Sequence, residues 1–304
     1  GYKDKLFLDV GVRGDRNPSF GKNIGVQYYP KVGVSYMMSQ ESWFANPLVN
    51  TLRLRGSYGV AGNLPPAYAN EKTVAFDGYL GEQATRFSQP GNDDLRPEKT
   101  HTWETGIDAS FWNNRLTLSV GYYYSKTKDA LFYVPPAPSS GYTKSQLYNI
   151  GEIENKGFEM NFALEVVQTQ DWNVSLTGSV NTLKNKVLST GGAPAFNING
   201  FSSRTLQTVV EEGRPVGFIR GNYGVIGEDG TLKETIPQAY LGSTIPEVFG
   251  NIGLNLRYKN WSLFANANYQ TGGYAANWDA QFRYNYGASD DFVPKEEIDK
   301  NGRT

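Results

Sequence analysis

His101 is the only histidine among 304 residues, and there is no cysteine. A Ser–His–Asp set would have to be built on that one imidazole, and no serine sits in a G-x-S-x-G turn. His101 stands beside Thr100 and Thr102 at the expected start of a strand, where a solvated strand-end residue is the plainer reading. No P-loop or dinucleotide-type glycine pattern follows a strand and opens a helix. The acidic pairs Asp93-Asp94 and Glu228-Asp229 carry the oxygen ligands calcium takes. They lack EF-hand spacing, and turn chemistry explains them equally well. The sequence therefore reads as a non-enzyme, with no catalytic residue, metal or cofactor expected. Two other groups can do binding chemistry. Arg53, Arg55, Glu104, Asp108, Glu159, Glu165 and Arg257 fall on polar positions of alternating segments. Phe132, Tyr133, Tyr142 and Tyr148 flank the VPPAPSSGY stretch, where they stack on sugar rings or simply pack their loop.

What must position these residues is legible from Asn149 to Asn181. Phe158, Met160, Phe162, Leu164 and Val166 oppose Glu159, Asn161, Ala163 and Glu165. After a turn at Gln168–Asp171, Trp172, Val174, Leu176 and Val180 oppose Asn173, Ser175, Thr177, Ser179 and Asn181. Successive strand side chains point to opposite sides, so each arm has one apolar and one small-polar face. Both arms exceed the roughly five to six residues of a soluble strand and suit the roughly nine to eleven of a tilted membrane strand. Nine such segments are expected, over about 5–14, 28–38, 51–60, 101–111, 115–126, 153–167, 172–183, 247–258 and 261–271. The stretches 61–99, 126–152 and 182–246 read as long and irregular.

Composition agrees. Charged residues make up only 19%, against roughly 25% in soluble domains, while aromatics reach 14%, with 20 Tyr and 34 Gly. Mean hydropathy is nevertheless -0.50, so apolar residues must be interleaved with neutral polar ones. A net charge of -1 argues against nucleic acid and against a polybasic membrane anchor. No apolar run approaches the roughly twenty residues of a spanning helix.

Connections after strands two, four, six and eight are short or moderate, and the others are longer. That alternation belongs to an up-and-down membrane barrel with short periplasmic turns and long extracellular loops. Trp103, Trp172, Trp261, Phe111 and Tyr258 are expected to flank the short turns as an interfacial girdle. The seven charged residues above then face a lumen, either as solvated or barrel-filling partners or as a substrate path. The fold class expected is all-β, a transmembrane antiparallel up-and-down β-barrel. Nine strands do not make an even-numbered bacterial barrel, so residues 1–304 are expected to be part of a larger one.

Several motifs carry a family resemblance. LRLRGSYGVAGN (52–63), LRPEKTHTWETGIDASFWNNRLTLSVGYYYSKTKDALF (95–132) and NIGEIENKGFEMNF (149–162) resemble the barrel of SusC/RagA-type TonB-dependent outer-membrane transporters. EEGRPVGFIRGNYGVIGEDG (211–230) and GSTIPEVFGNIGLNLRYKNWSLFANANYQTGG (242–273) resemble its later part. The resemblance implies a barrel of about 22 strands in a Bacteroidota-like Gram-negative outer membrane. It also implies a plug and a TonB-engaging box that these residues do not match. A SusD-like lipoprotein lid, the TonB complex, the lipid bilayer and a glycan or peptide cargo are the implied partners, with the four loop aromatics as cargo or lid contacts. A passive porin and an adhesive or structural β protein are the competing classes.

Overall fold

The computed structural model describes residues 1–134, 136–198, 206–228 and 231–277, with 279 and 283. Alternating polarity produces one long antiparallel wall. Its first strands are β1 (Leu6–Asp15), β2 (Gln27–Met37) and β3 (Val49–Asn63). A separate hairpin follows, β4 (Thr73–Tyr79) and β5 (Glu82–Gln89). The wall resumes with β6 (Glu98–Phe111), β7 (Leu116–Val134), β8 (Gln146–Gln168) and β9 (Trp172–Thr182). The next connection carries β10 (Lys184–Ser189), β11 (Phe196–Asn197), β12 (Leu206–Val210), β13 (Phe218–Ile226) and β14 (Leu232–Gly242). Finally β15 (Val248–Tyr258) and β16 (Trp261–Thr271) complete the wall. Wall order is β1-β2-β3-β6-β7-β8-β9-β15-β16, a nine-strand meander, with β10 also pairing β8.

Register is continuous across the wall. Tyr36, Leu54, Ile107, Val120, Met160, Val180, Gly250 and Tyr269 are successive Cα partners on the apolar face. Because the side-chain period is two, such a row keeps every strand's apolar set on one side. That side lacks a covering layer: Leu8, Val10 and Val12 are each about 70% exposed or slightly less.

The structure corrects the expected irregular regions. β7 and β8 run well past their apolar alternation, so most of 126–152 is paired strand. Asp129 takes a positive φ of 55°, and the β7–β8 register shifts on either side of Ala130. That bulge resets the alternation and hides the continuation. The 61–99 stretch contains β4–β5, whose tip residue Leu80 is 88% exposed. The 182–246 stretch contains β10 and the four-stranded sheet β11-β12-β13-β14.

The aromatic girdle is also corrected. Phe111, Trp172, Tyr258 and Trp261 do stand at the short-turn end, with Trp172 and Tyr258 ring centroids 4.3 Å apart. Trp103 does not. It pairs with Tyr58 and Tyr124 toward the long connections, its ring 4.3 Å from that of Tyr58. Strand direction explains this, since β6 starts at Glu98 and reaches its short turn only after Phe111. From Trp103 to Phe111 is about 26 Å along the strand at roughly 3.3 Å per residue. Two aromatic girdles therefore bracket the apolar band, as in membrane barrels.

Two small cores lie beyond the wall, both against the β7–β8 arm. Ala130 and Phe132 join Val187 and Val210, with Phe196 and Ile198 against them. Leu147 joins Ala69 and Leu95, with Leu131 alongside.

Candidate functional site

On the polar face one row runs through Arg53, Asp108, Ser119, Asn161, Ser179, Asn251 and Asn268 as successive partners. Continuous antiparallel register brings these seven residues from seven strands into one line. Arg53 donates from Nε (2.9 Å) and Nη2 (2.6 Å) to Asp108 Oδ2. Ser119 donates to Asp108 Oδ1 at 2.6 Å. Farther along, Ser179 donates to Asn251 at 3.1 Å. The wall is recessed here, enclosing about 590 Å³ beside Arg53, Asp108, Ser110, Thr117 and Asn161. Ser110 Oγ is buried at this recess without a protein partner.

Arg55 lies one rung away, its Nε 3.5 Å from Asp108. Its partner across the ladder is Gly106, which pairs with Gly121 and then Glu159. A Cβ on Gly106 would stand 2.9 Å from Arg55 Cζ, and one on Gly121 would stand 3.2 Å from Nη2. The guanidinium therefore lies flat over two glycines, a placement that any side chain at Gly106 would obstruct.

The structure thus brings Arg53, Arg55 and Asp108 together. Glu104 sits one rung from them, accepting a long 3.4 Å bond from Ser57. Glu159 stands across from Gly121 and Asn181 without joining the cluster. Glu165 lies nearer the short turns opposite Ser175, with Oε2 buried and unpartnered. Arg257 is remote, between Asn173 and Ser262. His101 is not a strand-start residue: β6 begins at Glu98, and His101 Nδ1 lies 2.8 Å from the Tyr58 hydroxyl.

The four aromatics separate. Phe132 is on β7, not in a loop; it is 9% exposed, and its ring packs edge-on against Phe196 at 5.2 Å. Burial removes it from any contact with cargo or lid. Tyr133 and Tyr148 are also on strands, β7 and β8, and remain exposed. Tyr142 lies between β7 and β8, 5.4 Å from Phe87, with Lys72 near both rings.

Sequence reasoning missed the extension of the polar row through Ser119, Asn161, Ser179, Asn251 and Asn268. Each was on a polar face already; counting register outward from each short turn would have aligned them. It also missed the clasp around Gln146. That buried amide donates to Ala69 O at 3.1 Å and accepts from Gly91 N at 2.8 Å, tying the 64–97 connection to β8. Outside the wall, the Glu212 carboxyl accepts from Thr190 N at 2.7 Å. The Thr190 backbone and hydroxyl bonds hold its pKa below the usual glutamate value. Asp94 accepts from Asn23 at 2.9 Å and Asp93 pairs with Lys22 at 3.6 Å, so both serve loop structure. Of the other acidic pair, Asp229 lies outside the described residues.

The family model described as TonB dependent receptor-like, beta-barrel, matches residues 1–294. TonB-dependent receptor P26 of Formosa agariphila is 32% identical over 203 residues, covering 65% of this chain and 20% of the relative. TonB-dependent receptor SusC of Bacteroides thetaiotaomicron is 26% identical over 202 residues, covering 62% of this chain and 20% of the relative. The solved RagAB peptide transporter superposes with a TM-score of 0.79 at 25% identity, over 93% of this chain and 34% of that one. The chain therefore spans about a fifth to a third of the length of these relatives.

Proposed function

We infer the function from one premise: the chain belongs to the TonB dependent receptor-like β-barrel family. On our reading it forms part of the wall of an outer-membrane active transporter in a Bacteroidota-like bacterium. The intact protein imports an oligosaccharide or peptide, draws energy through TonB, and works beneath a SusD-like surface lipoprotein. Likeness to SusC and to RagAB supports these partners and this cargo range.

One observation carries the reading. The same nine strands hold an uncovered apolar row between two aromatic girdles and, on the reverse, a registered row of Arg, Asp, Ser and Asn. The apolar side suits lipid, which cannot satisfy exposed polar groups. The polar side then faces the lumen, where Arg53, Arg55, Glu104, Asp108, Glu159, Glu165 and Arg257 offer hydrogen bonds to a passing hydroxylated or amide-bearing cargo. Tyr133, Tyr142 and Tyr148 are proposed to meet cargo or lid outside. The chemistry is binding and passage rather than bond-making.

Uptake of a labelled oligosaccharide and peptide panel by cells carrying the full-length gene tests this. Uptake is expected to collapse when the inner-membrane proton gradient is dissipated. Uptake that survives uncoupling would replace the reading with passive diffusion.

A further inference from the structure

Toward the long connections the apolar face changes character within one rung. Trp103 pairs with Tyr124, Tyr124 with Lys156, and Lys156 with Lys184. The next rung runs His101, Lys126, Glu154, Lys186, and beyond it Lys99 pairs with Lys128. Strand parity places these lysines on the same side as Trp103 and Tyr124. Six lysines thus gather just beyond the girdle, with Glu152, Glu154 and Glu247 as the acids beside them.

Two of the lysines are held in close ion pairs, and Lys186 stands opposite Glu154 in register without one among the described residues. Lys126 pairs with Glu152 and Lys156 with Glu154, both at 2.7 Å. Lys128, Lys184 and Lys186 are exposed and take no ion pair or side-chain hydrogen bond among the described residues. Lys156, Lys184 and Lys186 line a groove of about 290 Å³ together with Pro215, Tyr240 and Ile245 and with the acids Glu154 and Glu247. Immediately below, Trp103 and Phe158 are each 58% exposed.

We propose that this lysine belt binds the phosphate groups of an anionic lipid in the outer leaflet, with the acyl chains lying along the Trp103–Phe158 surface beneath. The proposal rests on the reading of the apolar face as lipid-facing. Charge and height select this occupant: unpaired cations stand at headgroup level, directly above aromatic side chains of the kind that mark a membrane interface. A soluble anion would use the cations alone and leave the aromatic surface uncovered.

Native mass spectrometry of the detergent-purified full-length protein tests the idea. Its probes are bisphosphorylated lipid A, the same lipid with its phosphates removed, and inorganic phosphate. The bisphosphorylated lipid is expected to bind about a hundredfold more tightly than the dephosphorylated form, given roughly one kcal/mol for each of the three lysines without an ion pair. Replacing Lys128→Gln, Lys184→Gln and Lys186→Gln together is expected to abolish that preference while leaving the dephosphorylated lipid's binding unchanged. Heat-dependent gel mobility checks that the barrel is folded. Should the triple variant fail to fold, Lys128→Gln alone, at an exposed position, is expected to lower the preference about fivefold. Equal binding of the two lipids, or equimolar inorganic phosphate displacing the lipid, would overturn the proposal. A full-length protein monodisperse without detergent would sink the membrane reading itself; a detergent-dependent one without phosphate preference would sink only the belt.

Discussion

The wall and the outer connections solve the burial problem in opposite ways. In the wall, Leu8, Val10, Val12, Ile107 and Phe158 stand uncovered, and the strands are held by continuous pairing rather than by a core. In the outer part, Val187, Val209 and Val210 are fully buried, and Phe218 nearly so. The same chain thus leaves a continuous apolar face bare along the wall and gathers a small core beyond it, although Phe76, Leu80 and Ile226 of the outer hairpins stand exposed too. Exposed apolar area is costly in water at roughly 25 cal/mol per Å² and not in hydrocarbon. On the reading of this face as lipid-facing, the bare band runs from near Trp103 on one side to Phe111 on the other.

The strongest way to break this comparison is to empty the outer core. Phe132→Ala is expected to destabilise the outer sheet by about 3–5 kcal/mol, the usual range for a buried Phe. Hydrogen exchange should then accelerate over 206–226 while the wall amides near Val120 keep their protection. Equal loosening of both regions would mean that they are one cooperative unit.

A somewhat smaller effect tests the wall. Ile107→Arg places a cation at mid-height of the apolar band and is expected to cost roughly 2–4 kcal/mol in a bilayer. Ser119→Arg, at the same height on the polar face, should cost far less. Denaturant unfolding of the full-length protein in lipid vesicles reads both; similar costs would erase the two-faced wall.

The smallest effect sharpens the outer side. Glu212 has a carboxyl pKa held below its ordinary 4.5 by Thr190. A depressed folded value means its contribution is present above that ordinary value and is lost as pH falls through the depressed one. Exchange around 187–190 is expected to quicken as pH falls below that ordinary value and through the depressed one. Glu212→Gln should show no such step.

The wall was legible because its signal is local and repeated. The strands that cross the apolar band alternate in polarity, and two-to-four-residue turns such as Lys259–Asn260 fix the pairing of β6 with β7, β8 with β9 and β15 with β16. The outer structure was not legible for three physical reasons. The bulge at Asp129 interrupts alternation just where β7 leaves the band. Strands such as β10 and β12 are short, and buried on both sides in part, so they lack a two-residue period. Phe132 reads as a loop aromatic because its burial depends on Phe196 and Val210, far along the chain. At the polar face the candidates were visible singly, whereas the Arg53–Asp108–Ser119 cluster required the pairing of three strands. Trp103 was misplaced because composition marks a girdle but only strand direction says which one.

The β7–β8 arm has a consequence in time as well as in space. Ala130 and Phe132 form the floor of one outer core, and Leu131 and Leu147 that of the other. Neither core has a floor until these two strands have met along their full length. Closing the distant contacts of Val210 or Ala69 before then would spend chain entropy with nothing to land on. The wall is accordingly the scaffold on which the two outer cores are assembled.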